Sequence, residues 1–393
     1  MAVKVSKMAQ AIEPSLSRRL FNMAKEYDEV IDLTLGDPDL LPAAPIRAAA
    51  CEAIITGRTR YSANAGLVSL REAIARRFAE EYGFDVNPDS EVVVTVGGME
   101  ALFLAFACLL DPGDEVIVPA PYYVNYVQMV KMCGAVPVAV SSEESDGFLP
   151  SLAALEDAIT DKTVALIVNS PCNPTGAVLD SDLLQSLADF ALRHDLVVVS
   201  DEVYRTLIYD GASCPSICTM PGMRERTVVV NSVSKRFSMT GYRLGYAMAP
   251  APLAESMTMM QENVAACAPL PSQYAALAAY ELCSDDDSIA EVFDERRKAI
   301  CAALLEVPGL RFAKPGGAFY LFVNISETGF DGLQFAYGLL REEQVAVVPG
   351  VTYGSAYGDY VRIAYTLDVP LLEEAARRID RFVRLHKRED AAQ

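Results

Sequence analysis

Histidine is nearly missing from this chain: only His194 and His386 occur among 393 residues. A Ser/His/Asp relay would have to use one of these two, and a zinc centre with several imidazole ligands is close to excluded. Both lie in polar helical stretches, RHD and LHKRE, and are expected to be solvated surface residues. Positive charge is also short. Lys and Arg number 33 against 53 Asp and Glu, for a net charge of −20. Nucleic acids and anionic membranes demand concentrated cations, so neither is an expected partner. No uncharged run is apolar enough to span a membrane; the longest, residues 263–280, is interrupted by Pro269, Pro271 and Gln273. The opening MAVKVSKMAQAIEPS has Lys4 and Lys7 but no apolar stretch before Glu13 and Pro14, so no signal peptide is expected. The nine cysteines are scattered, and an odd number suits a reducing compartment better than a disulfide framework. The nearest pair, Cys214 and Cys218, lacks a second pair to complete a metal site. No metal is expected, and the expected location is the cytoplasm.

What is present is ordinary globular composition, 52% hydrophobic and 22% charged, at a length that suggests two domains. Between residues 90 and 250, short β-branched runs alternate with amphipathic stretches. The runs are VVVTV (92–96), EVIVP (115–119), VPVAV (136–140), TVALIVN (163–169), LVVVS (196–200) and TVVVN (227–231). Apolar without alternation, they are expected to be strands buried on both faces. Helices are expected between them at 100–110, 151–159 and 181–194. Repeated strand–helix–strand units imply a parallel sheet with right-handed crossovers. From about residue 285 the pattern changes to a long charged helix (286–305), alternating segments and a final helix (370–388). The expected fold is α/β: a large domain (46–284) with a mostly parallel, doubly wound sheet flanked by helices. A smaller α+β domain is built from both chain ends, with residues 285–393 as its body and residues 1–45 packed on it.

In such a sheet all carboxyl ends face one crevice, where ligands bind. After VVVTV comes Gly97-Gly98-Met99-Glu100, a turn opening a helix whose N-terminus can seat a phosphate, although close packing explains two glycines as well. After TVALIVN comes Ser170-Pro171-Cys172-Asn173-Pro174-Thr175-Gly176, an amide held between prolines. After LVVVS comes Asp201-Glu202-Val203-Tyr204; a carboxylate ending a buried run needs a cationic partner. After TVVVN come Ser232, Ser234 and Lys235, with Arg243 eight residues on, an anion site beside an amine nucleophile. Singly, a turn, a loop or a solvated patch would account for each. Jointly, they meet the needs of pyridoxal 5′-phosphate: donors for its phosphate and phenolic oxygen, a carboxylate for its ring nitrogen and a lysine for its aldehyde.

The chain resembles fold type I pyridoxal-phosphate enzymes of the class I/II aminotransferase family, aspartate aminotransferase-like. The matching stretches are YSANAGLVSLREAIA, TVGGMEAL, NSPCNPTG, SDEVY, SVSKRFSMTGYRLGY, PGGAFY and YVRIAY, in the family's order. The resemblance implies that Lys235 bonds the cofactor aldehyde and later shuttles the substrate α-proton. It implies that Asp201 pairs with the pyridine nitrogen and that Asn173 and Tyr204 donate to the phenolic oxygen. Ser232, Ser234, Arg243 and the amides of Gly98 and Met99 would hold the phosphate, and Tyr123 would stack on the ring, with Tyr122 the alternative if the register lies one residue earlier. Arg362 would grip the substrate α-carboxylate, with Gly36 and Asn173 on the same side. Tyr61 would reach the phosphate of a neighbouring subunit, implying a homodimer. Cys172 stands where relatives often carry Asn, and Tyr242 where Trp is common. The implied activity is transfer of an amino group between an L-amino acid and a 2-oxo acid by ping-pong half-reactions. A C–S β-lyase on the same scaffold is the alternative. A ligand-sensing regulator carrying a DNA-binding domain is a third class, for which an acidic chain leaves little room.

Overall fold

The computed structural model describes residues 3–284 and 286–390. Its strands are β1 (Ile31–Asp32), β2 (Val92–Thr95), β3 (Glu115–Ala120), β4 (Val136–Ser141), β5 (Thr163–Asn169), β6 (Val197–Asp201), β7 (Thr227–Ser232), β8 (Gly245–Met248), β9 (Tyr320–Asn324), β10 (Val345–Ala346), β11 (Val348–Pro349) and β12 (Tyr360–Ala364). The seven-stranded sheet runs β2-β8-β7-β6-β5-β3-β4. Strands β3 to β7 are mutually parallel. β8 is antiparallel to both β7 and β2, so β2 points the same way as the rest. All six apolar runs therefore end on one edge.

β8 itself was not foreseen. Its sequence, Gly-Tyr-Ala-Met, has no β-branched residue and lies inside a stretch that reads as a phosphate loop. Glycine is needed there because a Cβ at Gly245 would stand 2.4 Å from the Gly98 amide nitrogen. β4 also departs from expectation: it is the sheet's edge, and Val136 is 47% exposed rather than buried on both faces. β2, at the other edge, stays buried because the helices Val68–Tyr82 and Ala251–Val264 pack against it.

Helices cover the faces as their spacing requires. In Ser181–Arg193, Leu184, Leu187, Ala188 and Ala191 are buried at helical intervals. Asp180 caps that helix by accepting from the Leu183 amide at 2.8 Å. The helix expected at 286–305 runs Ser288–Leu305, because the Asp286 carboxylate takes the Ser288 amide at 3.0 Å and turns the chain first.

The remaining strands form an antiparallel sheet, β11-β12-β9, and a parallel pair, β1 with β10. Leu20, Ala24, Ile31 and Leu33 share one apolar cluster with Phe293, Phe319, Phe335, Ile379 and Phe382, so both ends of the chain enter one core. The segment before Leu20 is different. The helix Lys7–Ala11 buries nothing and lies toward Asn125–Met132 of the large sheet's helices, where Glu13 pairs with Lys131 at 3.3 Å. With no buried residue of its own, this short helix adds nothing to the small core. Among the described residues no helix is long and apolar enough to cross a membrane.

Candidate active site

Beyond the common strand edge, against the smaller unit, lies a cleft of about 820 Å³. Gly36, Gly98, Met99, Tyr123, Asn173, Asp201, Tyr204, Ser232, Ser234, Lys235, Arg243 and Arg362 all line it. Tyr61 does not; it is 86% exposed on this chain. Tyr122 lines a separate void of about 40 Å³, so of the two neighbouring tyrosines it is Tyr123 that faces the cleft. Neither histidine borders it. His194 lies 2.8 Å from Glu156 and His386 2.9 Å from Glu342, each partly sheltered beside an acid instead of freely solvated.

One end of the cleft is built for an anion. The helix Gly97–Leu109 begins at the glycine turn, and its first amides carry the positive end of the helix dipole. Gly97 has φ +78°, and a Cβ there would sit 2.5 Å from an Arg243 guanidinium nitrogen. Only glycine lets that cation lie against the helix start. Ser234 and Ser232 join hydroxyls at 2.8 Å beside it.

At the middle sits Asp201, 4% exposed. Burial pushes its carboxyl up to about 6, against the pull of a 2.6 Å hydrogen bond from Tyr126 and one from the Val203 amide. The β5–β6 register sets Asn169 beside Asp201; Asn169 donates to the Asp201 carbonyl at 3.0 Å and accepts from the Asn173 amide at 3.0 Å. Lys235 crosses to the Gly36 carbonyl, and burial lowers its amine to about 8, with Arg243 and Arg362 acting in the same direction. The neutral fraction of Lys235, the form a nucleophile needs, is therefore far larger near neutral pH than that of an ordinary lysine and becomes the majority above about pH 8.

Arg362 closes the far wall from β12. Its terminal nitrogens donate to Asn173 Oδ1, at 3.1 Å, and to the Thr34 carbonyl, while its buried Nε has no partner. A buried guanidinium N–H without an acceptor is costly, and a carboxylate is the acceptor its geometry suits. Asn169, Tyr126 and Tyr320 are cleft residues that sequence reasoning missed. Asn169 closes a run counted as strand, Tyr126 was hidden in a tyrosine-rich turn, and Tyr320 lies in PGGAFY, cited for likeness and assigned no role.

The donor set fits pyridoxal phosphate at every point: an anion seat, a desolvated carboxyl needing a cation, a buried amine of lowered basicity and a guanidinium with one unpartnered N–H, all facing one space. Together with a doubly wound sheet whose crevice holds these groups, this defines a pyridoxal-phosphate enzyme. The chain belongs to the aminotransferase class I and II family, whose model matches residues 28–379. It is a pyridoxal-phosphate-dependent aminotransferase, a transaminase. It is 41% identical to a putative aminotransferase of Bacillus subtilis, YugH, over 98% of both chains. It is also 41% identical to an aspartate aminotransferase of Pyrococcus abyssi, over 96% of this chain and 97% of that one. The crystal structure of an aromatic aminotransferase from Pyrococcus horikoshii superposes with a TM-score of 0.89 at 41% identity, covering 94% of this chain and 99% of that one.

Proposed function

We propose that this aminotransferase exchanges the amino group of an L-amino acid with a 2-oxo acid by ping-pong half-reactions centred on Lys235. The observation that carries this reading is the shared space of a buried amine of lowered basicity, a buried carboxyl and a guanidinium with one unpartnered N–H. When bound, pyridoxal phosphate supplies an electron sink that makes the substrate α-hydrogen acidic. Lys235 holds the aldehyde end and, once released, takes and returns the proton at the substrate α-carbon. Asp201 keeps a proton on the ring nitrogen. Tyr204 and Asn173 donate to the ring oxygen, and Tyr123 covers one ring face. Gly98, Met99, Ser232, Ser234 and Arg243 hold the phosphate, while Arg362, Asn173 and Gly36 orient the α-carboxylate.

The aspartate and aromatic donors named for the relatives are the first candidates. Met99, Phe21 and Tyr353 in the cleft wall favour an aromatic side chain. The enzyme acts as a cytoplasmic homodimer, a reading supported by its nine free thiols and by Ile54, Ile55 and Tyr61 standing more than half exposed on segment 54–61. Tyr61 then serves the partner's phosphate. The unit at 46–284 carries the cofactor and the unit at 285–393 carries Arg362. Incubation with a panel of amino acids and 2-oxoglutarate tests the chemistry. Glutamate formation is expected; pyruvate, ammonia and thiol released from cystathionine without it would establish a β-lyase instead.

A further inference from the structure

Tyr320 and Tyr204 bring their hydroxyl oxygens to 2.8 Å, and either could donate. Both are buried, at 2% and 5% exposure. A phenol has a single proton, so the pair spends one on its shared bond and keeps one to offer elsewhere. Proton counting decides which. The Tyr320 oxygen abuts Gly36, where a Cβ would stand only 1.8 Å away, and makes no other hydrogen bond among the described residues. Tyr204 is the acceptor within its reach. Both tyrosines border the cleft, but it is Tyr204 whose proton the proposed function commits to the cofactor's ring oxygen. The arrangement that satisfies both runs from Tyr320 to Tyr204 to the cleft.

The ring of Tyr320 has a second contact. The Arg362 guanidinium carbon lies 4.5 Å from its centroid, and the two side chains share a face of the β9–β12 pair, where Ala364 faces Tyr320 and Phe322 faces Arg362. A cation on an aromatic face draws electron density from the ring and is itself held flat.

We propose that Tyr320 is a positioning residue whose hydroxyl aims the Tyr204 proton at the cofactor's ring oxygen and whose ring orients Arg362 for the substrate carboxylate. The inference rests on the role given to Tyr204 under the proposed function. Serial hydrogen bonds polarise one another, so Tyr204 donates more strongly with Tyr320 behind it. Burial raises both phenols above the ordinary tyrosine range, and Arg362 works against that rise at Tyr320. The other charged or titratable groups facing this pair and Lys235 are Asp37, Asp201, Tyr123 and Arg243.

The test uses the holoenzyme and reads the pH midpoint of the visible absorption of cofactor bound at Lys235. A donor to the ring oxygen favours its anionic form, so removing the donor moves the midpoint up. Tyr204→Phe is expected to raise it by about one pH unit and Tyr320→Phe by roughly half of that. Tyr320→Phe keeps the ring, so KM for 2-oxoglutarate stays within about twofold, whereas Tyr320→Leu raises KM about tenfold. A shift with Tyr204→Phe but none with Tyr320→Phe overturns the inference and leaves the role of Tyr204 standing. No shift with Tyr204→Phe sinks the assignment of Tyr204 itself. Equal KM increases in the Phe and Leu variants would show that the ring does not carry Arg362.

Discussion

Replacing Asp201 by asparagine is predicted to stabilise the cofactor-free protein while destroying its activity. Asp201 is 4% exposed, and burial is the leading reason its carboxyl titrates near 6 instead of 3.8. A raised carboxyl pKa means the folded state resists ionisation more than the unfolded chain does. The resulting penalty is absent below pH 3.8, grows through the interval, and is complete above about 6. Two pH units correspond to about 3 kcal/mol at pH 8, and about half of that remains at pH 5. Asparagine removes the charge and can still accept from Tyr126, but its NH2 group has no acceptor in place of a carboxylate oxygen, which costs about 1 kcal/mol. The net expectation for cofactor-free Asp201→Asn is a gain of about 2 kcal/mol at pH 8, falling below about 1 kcal/mol at pH 5. In the holoenzyme the sign reverses, because the carboxylate then has a protonated ring nitrogen to pair with, and turnover should fall at least about 100-fold. Urea unfolding of both proteins at the two pH values, with and without cofactor, provides the measurement. A cofactor-free variant less stable than the parent at pH 8, or a difference independent of pH, would refute the reasoning.

Further outcomes follow from the same geometry. Lys235→Ala should abolish transamination while the protein still folds; wild-type turnover in that variant would remove Lys235 from the chemistry. Because burial lowers the Lys235 amine to about 8, its neutral fraction, and so the rate of covalent cofactor capture, should climb as pH rises, reach half its limit near pH 8 and level off about one unit above. A capture rate unchanged between pH 6 and 9, followed by absorbance, contradicts that. Arg362→Gln should lower kcat/KM for 2-oxo and amino acids by roughly 100-fold, with cofactor retention unaltered; parallel loss of both would mean the guanidinium serves the cofactor. Arg296 clamps Asp39 at 2.7 and 3.1 Å and the Thr366 carbonyl at 2.6 Å, holding the loop that carries Gly36. Arg296→Met removes these bonds and, because water can solvate the half-exposed Asp39 carboxylate, should cost about 1 kcal/mol in urea unfolding while raising KM. An unchanged urea midpoint would count against this clamp.

The sequence alone determined the sheet, the edge and the chemistry. Buried parallel strands must be apolar throughout, so β3, β5, β6 and β7 announced themselves, and the residues just past each run had to share one crevice. Twelve of the thirteen residues assigned from sequence do face that cleft: those past the strand ends because position along a parallel sheet is a local property of each run, and Tyr123, Gly36 and Arg362 as the family resemblance implied. Tyr61 faces solvent on its own chain, so the fold of one chain does not bring it to the cleft. Tertiary structure alone decided the rest. β8 forms because the chain doubles back between β7 and β2, where pairing supplies what its Gly-Tyr-Ala-Met sequence does not. Tyr126, Asn169 and Tyr320 matter through partners 75, 32 and 116 residues away, distances over which periodicity carries no information. The raised carboxyl of Asp201 and the depressed amine of Lys235 are likewise products of burial. A side chain's burial depends on every element packed around it, not on its neighbours in the chain.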